Sequence, residues 1–365
     1  MEELFLELIR LSIGTGSSLT RHPSVEEWVM LYKMSTKQSL LGVCFVGVRR
    51  YMVSVEQRGE KLIIPLKLYY KWLGAAAQIQ KMNEQMNQRC EELQVILSSS
   101  GFMSSILKGQ GVAALYGELS LYRQPGDIDV WIHPQEDDSS DNHFKRVMKY
   151  VSTIGQIKDF NRQHVEVPFF EDTMVEIHFT PSLMNNPIHN KRLQNWFKQY
   201  TVVDFDFNVV YLIQHCYNHF LFEGIGLRQF MDYYFLLKSI RNNELGKERE
   251  ENTKIVEKLE YLGLKKFAGA MMWVLKEIFH AEEELLICSP NKKRGEFLLK
   301  EILMGGNFGH YGNEGIMQSH SKSKFAFFLT RMRRNLKLLS CYPSEIIWSP
   351  YAMIRHYIWK QKNKV

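Results

Sequence analysis

The chain has 365 residues, of which 45% are hydrophobic and 24% are charged, and its net charge is +6. This composition predicts a folded protein with a sizeable core and excludes a mainly disordered chain, and the length predicts more than one domain. The positive charge is uneven: from Ser321 onward ten Lys and Arg residues face one acid, giving +9, which leaves −3 elsewhere and argues against a generic polyanion binder.

The first hundred residues are predicted to be a helical region. Apolar residues recur with helical spacing over 25–32, after Ser24 as an N-cap, and over 62–97, which contains Pro65 near its start. The acidic start of the chain is unlike a signal peptide, and the longest near-apolar run, Ser39–Val48, is half the roughly 20 residues of a membrane span. We therefore expect no transmembrane helix.

Residues 101–205 have the mixed pattern of a small α/β unit. A turn at 122–126 leads into a strand at 127–132, and a helix is predicted over 142–154. Two further strands, 164–170 and 173–179, are joined tightly by Glu171-Asp172 and are predicted to form a hairpin.

The rest of the chain is predicted to be helical. Helical stretches run through a domain at 206–303, and a linker rich in Gly, Asn, His and Ser covers 304–323 within a C-terminal segment, 304–365, that ends in basic helices. Arg331, Arg333 and Arg334 of this segment are candidates to bind an acidic partner such as RNA or a glycan phosphate. A membrane-surface helix and a packed subdomain with a solvated basic face are the alternatives.

Asp127 and Asp129 are the most informative residues of the chain. Residues at i and i+2 of a strand point to the same face, so the two carboxylates lie together while Ile128 and Val130 face a core. Asp is disfavoured within strands, and two carboxylates held this close repel each other unless a cation lies between them. Mg²⁺ or Mn²⁺ beside substrate phosphates suits such a pair, which predicts phosphoryl-transfer chemistry over the alternative of an incidental polar strand edge.

The sequence resembles the uncharacterised nucleotidyltransferase family of the polymerase-beta-type superfamily. The resemblance rests on Leu107-Lys108-Gly109, Tyr122-Arg123, Gly126-Asp127-Ile128-Asp129 and Val175-Glu176-Ile177-His178, and it extends to His219, Arg228 and Asp232. It implies an α+β fold, with a small mixed sheet as nucleotidyltransferase core, N-terminal helices and a C-terminal helical domain. It also implies transfer of a nucleoside monophosphate from an NTP to an acceptor hydroxyl, with release of pyrophosphate.

The resemblance assigns a third metal-binding carboxylate to a later strand, where Glu176 is the best candidate and Glu166 the competitor. His178 then either supports the metal ligands or is an ordinary strand-edge histidine. Lys108 and Gly109 are expected to contact phosphates. Arg123 is expected either to hold a phosphate or to pair with the aspartates.

One departure favours an alternative function. The glycine-serine pair typical of the superfamily is replaced by Lys108-Gly109-Gln110-Gly111, which is compatible with an inactive nucleotide-binding or regulatory protein. For an active enzyme the acceptor is left open among a protein, a sugar phosphate, a small molecule and a nucleic acid. His215 and His219 are expected to be packed histidines, and Arg228 and Asp232 an i, i+4 ion pair. Five scattered cysteines predict reduced thiols and a cytoplasmic location.

Overall fold

The N-terminal region is helical, as predicted. The computed structural model describes residues 1–60, 64–135, 143–243, 248–309 and 324–363. Its first four helices are α1 (Glu2–Ile13), α2 (Val25–Lys37), α3 (Leu41–Gln57) and α4 (Leu66–Ser99). Ser24 caps α2 in a capping box with Glu27, and α4 begins directly after Pro65, which has no backbone N–H to lose at a helix start.

A five-stranded mixed sheet follows. Its strands are β1 (Phe102–Ile106), β2 (Ile128–Pro134), β3 (Asp159–Phe160), β4 (His164–Val167) and β5 (Val175–His178), and their order across the sheet is β1-β2-β5-β4-β3. Only β2 and β5 run parallel, and β4 and β5 form the predicted antiparallel pair. The predicted α+β class is confirmed.

The strands of this pair are shorter than predicted. Strand β4 ends at Val167 because Pro168 has no N–H to donate to a ladder, and the connection runs from there to Met174 instead of being a two-residue turn. Strand β2 likewise begins at Ile128, so Asp127 lies just before the strand rather than in it.

The two faces of the sheet have different partners. Ile128, Val130 and Ile132 of β2 face a hydrophobic cluster formed with α4 and with α6 (His143–Ile154). The intervening residues, Asp129 and Trp131, face the opposite way. Trp131 stacks on the ring of Phe207 at a centroid distance of 5.6 Å. The sheet therefore buries one face in a small core and turns its polar face towards the helical region.

The C-terminal region supplies eight helices among the described residues. They are α7 (Pro187–Phe197), α8 (Phe205–Phe222), α9 (Leu227–Asn243), α10 (Glu248–Tyr261), α11 (Lys265–Phe279), α12 (Lys292–Gly305), α13 (Lys324–Leu339) and α14 (Pro343–Lys362). A further short helix, α5 (Lys108–Ala113), connects β1 to a 3-10 segment that precedes β2. Most of the predicted linker, from residue 310 to 323, lies outside the described residues.

A single large hydrophobic cluster joins regions that the sequence separates. It contains buried side chains of α1, α3, α8, α9 and α11 together with Trp131 of the sheet. This core runs across the predicted domain boundaries at 100, 205 and 303, which remain predictions. None of the described helices combines the length and apolar character that a membrane span requires.

Two of the arginines predicted to bind an acidic partner are engaged within the fold. Arg331 donates to the carbonyl oxygen of Phe222 at 2.5 Å, and Arg334 donates to those of Phe220 and Leu221, so both hold the last turn of α8. Cations at a helix C-terminus satisfy its free carbonyls and complement its dipole. Both side chains are buried, and only Arg333 of the three is exposed.

Candidate active site

Three carboxylates from two strands meet on the polar face of the sheet. Asp129 of β2 and Glu176 of β5 are register partners in the parallel pair, and Asp127 immediately precedes β2. One carboxylate oxygen from each of the three lies within 4.8 Å of the other two. Glu166 is the register partner of Glu176 on the next strand, β4, but it does not belong to this cluster. The geometry thus assembles the residues that the sequence nominated as metal ligands.

The cluster is part buried and part open. Asp129 is 3% exposed, whereas Asp127 lies at the surface and the Glu176 side chain is between these extremes. Carboxylate oxygens at this spacing suit a hard divalent cation, which binds readily to one or two carboxylates and takes its remaining ligands from water or phosphate. The residues present therefore fit Mg²⁺ or Mn²⁺, with an accessible side for a substrate.

Lys108 points its ammonium group into the cluster. Its Nζ lies 3.0 Å from Asp129 Oδ1, whereas the sequence predicted a contact with substrate phosphate. The backbone makes this position unusual: Lys108 has φ of 30° and Gly109 has φ of 42° with ψ of −113°, a combination that is open almost only to glycine. The tight start of α5 thus directs a cation at the acidic residues.

His178 ties two of the acids together. Its Nε2 is 2.9 Å from Asp129 Oδ1 and 3.4 Å from Glu176 Oε2, and the ring is 1% exposed. His164 approaches Glu176 from β4, with Nδ1 at 3.1 Å from Oε2. An imidazole that supports carboxylates in this way fixes their orientation, which is the supporting role considered for His178 on the sequence.

The surroundings separate the pKa values of the two buried acids. Burial would raise the pKa of Asp129, but the Lys108 ammonium and the His178 hydrogen bond hold it well below its usual range. Burial, with repulsion from Asp129, raises the pKa of Glu176 to about 7 against the effect of His178. Burial opposes protonation of His178, yet its hydrogen bonds to both acids raise its pKa to about 9. The cluster is therefore organised by charge as well as by register.

Arg123 takes neither of the two roles expected of it in the structure. It makes a paired contact with Asp232 of α9, Nε to Oδ1 at 2.7 Å and Nη2 to Oδ2 at 2.9 Å, and it is 3% exposed. Tyr116 donates to the same carboxylate at 2.6 Å. Arg228, which the sequence paired with Asp232 by helical spacing, donates to the carbonyl oxygen of Gln124 at 3.1 Å, and the charge of Asp232 acts on its guanidinium as well.

A narrow cavity of about 40 Å³ opens beside the carboxylates. The side chains and glycines that line it come from the site, the turn before β2, α8 and α9: Lys108, Gly109, Arg123, Gly126, Asp127, Asp129, Leu212, His215, Cys216, Arg228, Gln229 and Asp232. Pockets that hold whole ligands are typically about 300–1,000 Å³. The cavity has room for an ion and water, so a nucleotide would require the cleft to widen.

Sequence reasoning expected only an ion pair of Arg228, and it missed Tyr211. Arg228 lines the cavity together with the cations Lys108 and Arg123. Tyr211, one turn before His215 on α8, is fully buried, and its hydroxyl has no hydrogen-bond partner among the described residues. The helical spacing from the histidine pair, at 211, 215 and 219, was the available signal. His215 and His219 pack ring against ring at 4.3 Å and belong to none of the metal-binding groups found in the described chain.

Comparison with known proteins identifies the family. The family model described as uncharacterised nucleotidyltransferase matches residues 24–280, about 70% of the chain. The matched range includes the whole carboxylate cluster, the sheet, and the helices from α2 to α11. No curated protein and no solved structure matches the chain.

Proposed function

The chain belongs to the uncharacterised nucleotidyltransferase family, and we propose that it transfers a nucleoside monophosphate from an NTP to an acceptor hydroxyl. The acceptor oxygen forms a bond to the α-phosphorus and loses its proton to solvent, the bond from that phosphorus to the bridging oxygen breaks with its electron pair going to that oxygen, and pyrophosphate leaves. The observation that carries the proposal is the meeting of three carboxylates within 4.8 Å on two neighbouring strands.

We assign the cation to Asp127, Asp129 and Glu176, with Mg²⁺ or Mn²⁺ as the ion. When bound, the ion would neutralise charge on the phosphates of the NTP. Asp129 is held in place by Lys108 and His178, and Glu176 by His178 and His164. These contacts fix the acids before substrate arrives, which is how a site that works by positioning and charge neutralisation gains its rate.

We assign the phosphate contacts to Lys108 and the backbone of Gly109. The ammonium group lies at the cavity beside Asp129, and a lysine and free N–H groups near a helix start are natural phosphate donors. Arg123 is committed to Asp232, and this supports a positioning role in which it ties the turn before β2 to α9.

The proposal is tested with NTPs labelled at the α-phosphate, Mg²⁺ or Mn²⁺, and cell extract as the source of acceptor. The wild-type chain should label an acceptor, and Asp129→Asn should reduce labelling by about 100-fold or more, the scale seen when a charge-stabilising group is lost. Glu176→Gln should reduce it similarly. Glu166→Gln is the matched control, because it makes the same change on the neighbouring strand outside the cluster.

The second candidate is a nucleotide-binding protein without turnover. It is favoured by the Lys108–Asp129 ion pair together with the missing glycine-serine pair. It predicts that NTP with Mg²⁺ raises the melting temperature by mass action while no acceptor is labelled. Labelling by the wild-type chain that Asp129→Asn abolishes would eliminate it.

We propose the cytoplasm as the location, because Cys44, Cys90, Cys216, Cys288 and Cys341 are all free thiols, which are typical of a reducing compartment. The acceptor class is left to the labelling experiment, which separates proteins, sugar phosphates, small molecules and nucleic acids by the size and chemistry of the labelled product.

A further inference from the structure

A second, larger cavity of about 380 Å³ lies beyond the C-terminal end of β5. Its walls come from the turn before β4, the segment after β5, α7 and α14, and they include Arg162, Thr180, Asn190, Gln194, Arg355 and Trp359. Among the residues that the structure describes, no acidic side chain lines it. The volume is within the range of pockets that hold small organic ligands.

The two arginines of this cavity carry uncompensated charge. Arg162, which is part buried, and Arg355, which is exposed on α14, have no ion pair or hydrogen bond to the rest of the described chain. Burial lowers the pKa of the Arg162 guanidinium, and the positive charge of Arg355 lowers it further. Two like charges that share a cavity without a carboxylate favour an anion between them.

A buried amide adds a neutral donor. Asn190 is 8% exposed, and its Oδ1 accepts from the backbone N–H of Met184 at 2.9 Å. Its side-chain NH₂ has no hydrogen-bond partner within the described ranges, which leaves it free to donate to a ligand in the cavity. Hydrogen bonds hold the part of the cavity wall that Thr180 and Gln194 form. Thr180 donates to Gln194 at 2.7 Å, and Gln194 donates to the carbonyl oxygen of Ser182 at 2.9 Å.

The cavity lies close along the chain to the candidate active site. Thr180 follows Glu176 by four residues, in the bend directly after β5, so the two are separated by at most roughly 13 Å. Trp359 offers an apolar surface at the same cavity. A ligand that placed an anion between the arginines would thus extend along β5 towards the carboxylates.

We propose that this cavity binds the phosphate monoester of the acceptor substrate, with Arg162 and Arg355 as the charged contacts and Asn190 as a neutral donor. The role as acceptor subsite rests on the proposed function, whereas phosphate binding itself does not. Two guanidinium groups match the charge of a phosphate dianion, and planar paired donors suit its oxygens.

The test is isothermal titration of the full chain with inorganic phosphate at constant ionic strength, with acetate as the comparison anion. Phosphate should bind the wild-type chain more tightly than acetate does. Arg162→Gln and Arg355→Gln should each weaken phosphate binding by about tenfold or more. Arg333→Gln is the matched control, because it removes the same charge from an exposed position of the basic C-terminal helices outside the cavity. It should change binding by less than twofold.

The arginine variants separate this cavity from the nucleotide site, where Lys108 is the proposed phosphate contact. Wild-type phosphate binding in both arginine variants would assign the anion to another site and overturn the proposal. Because neither arginine has a partner in the described chain, neither substitution should lower the melting temperature, and circular dichroism checks this. Phosphate binding that depends on the arginines without any acceptor labelling would reject the proposed function and keep the anion site.

Discussion

At the scale of single residues, Lys108 places a positive charge among the carboxylates of the candidate site. Its ammonium is 3.0 Å from Asp129 and acts on Asp127 and Glu176 as well. Strand alternation predicted that Asp127 and Asp129 lie together, and their carboxylates do meet, although Asp127 lies just before β2. The Lys108 contact depends on a left-handed backbone at the start of α5, which residue types do not specify.

Removing this cation should strengthen metal binding and weaken catalysis. In Lys108→Met the three carboxylates lose the positive charge that lies 3.0 Å from Asp129, so Mn²⁺ should bind several-fold more tightly, which electron paramagnetic resonance of free Mn²⁺ measures. Labelling activity should fall by about 100-fold, since the phosphates lose their cationic contact. Unchanged Mn²⁺ affinity would show that Lys108 does not compete with metal for the acids.

Arg123 shows what local spacing misses. The i, i+4 rule pairs Arg228 with Asp232 because both lie on α9, but it gives no sign of the paired contact from Arg123, which precedes Asp232 by 109 residues. A buried carboxylate is satisfied by whichever donors the tertiary fold brings to it, and sequence distance carries no information about them.

At the scale of secondary structure, helix and strand identity followed from periodicity, and element ends followed from special residues. Pro65 and Pro168 explain where α4 begins and where β4 ends. The short helix α5 was harder to predict, because its first turn depends on Gly109 in a conformation that periodicity does not describe.

Gly109 should be needed for activity more than for folding. In Gly109→Ala the φ of 42° with ψ of −113° becomes strained by roughly 1–3 kcal/mol, and relief of that strain would turn Lys108 away from Asp129. We expect labelling to fall at least tenfold while circular dichroism remains native. Gly74→Ala in α4 is the matched control, since a Cβ there meets nothing within 4 Å, and it should keep full activity.

The contact between β2 and α6 should make stability depend on pH. Burial, with repulsion from His143, lowers the pKa of His133 to about 4, and burial also lowers the pKa of His143. The folded state resists protonation of both histidines. Their contribution to the free energy of unfolding is therefore complete above about pH 6.5 and is lost between pH 6.5 and 4.

Urea unfolding at pH 7.5 and pH 5 measures this loss. We expect the two histidines to account for about 1–3 kcal/mol of the decrease in the free energy of unfolding, after allowance for partial exposure. The double variant His133→Gln with His143→Gln should reduce the difference between the two pH values. An equal difference in the double variant would assign the pH dependence to other groups.

At the scale of the whole molecule, a large hydrophobic cluster and a buried ion pair join the region of the sheet to the C-terminal helices. The cluster packs Trp131 with α8 and α9, and Arg123 joins the segment before β2 to Asp232 on α9. Composition predicted a large core, but the predicted domain boundaries follow changes in the pattern of apolar and polar residues along the chain. That pattern does not indicate that apolar faces on both sides of the boundaries pack against each other.

Breaking the buried ion pair should destabilise the entire chain. Asp232→Asn leaves the Arg123 guanidinium buried without a counter-charge, which should lower the free energy of unfolding by about 3–5 kcal/mol. Tyr116→Phe is the matched comparison, because it removes one hydrogen bond to the same carboxylate and should cost about 1 kcal/mol. Urea unfolding checks both, and equal losses would mean that the charge pairing contributes little.

The placement of Lys108 and His178 has a practical consequence for handling the protein. Positive groups of the chain itself offset the repulsion among the acids, so the fold does not depend on an outside ion to hold them together. Zinc fingers are the opposite case, since they unfold when a chelator removes their metal. Treatment with EDTA should therefore inactivate this protein reversibly: the chain should stay folded, and labelling activity should return when Mg²⁺ is added back.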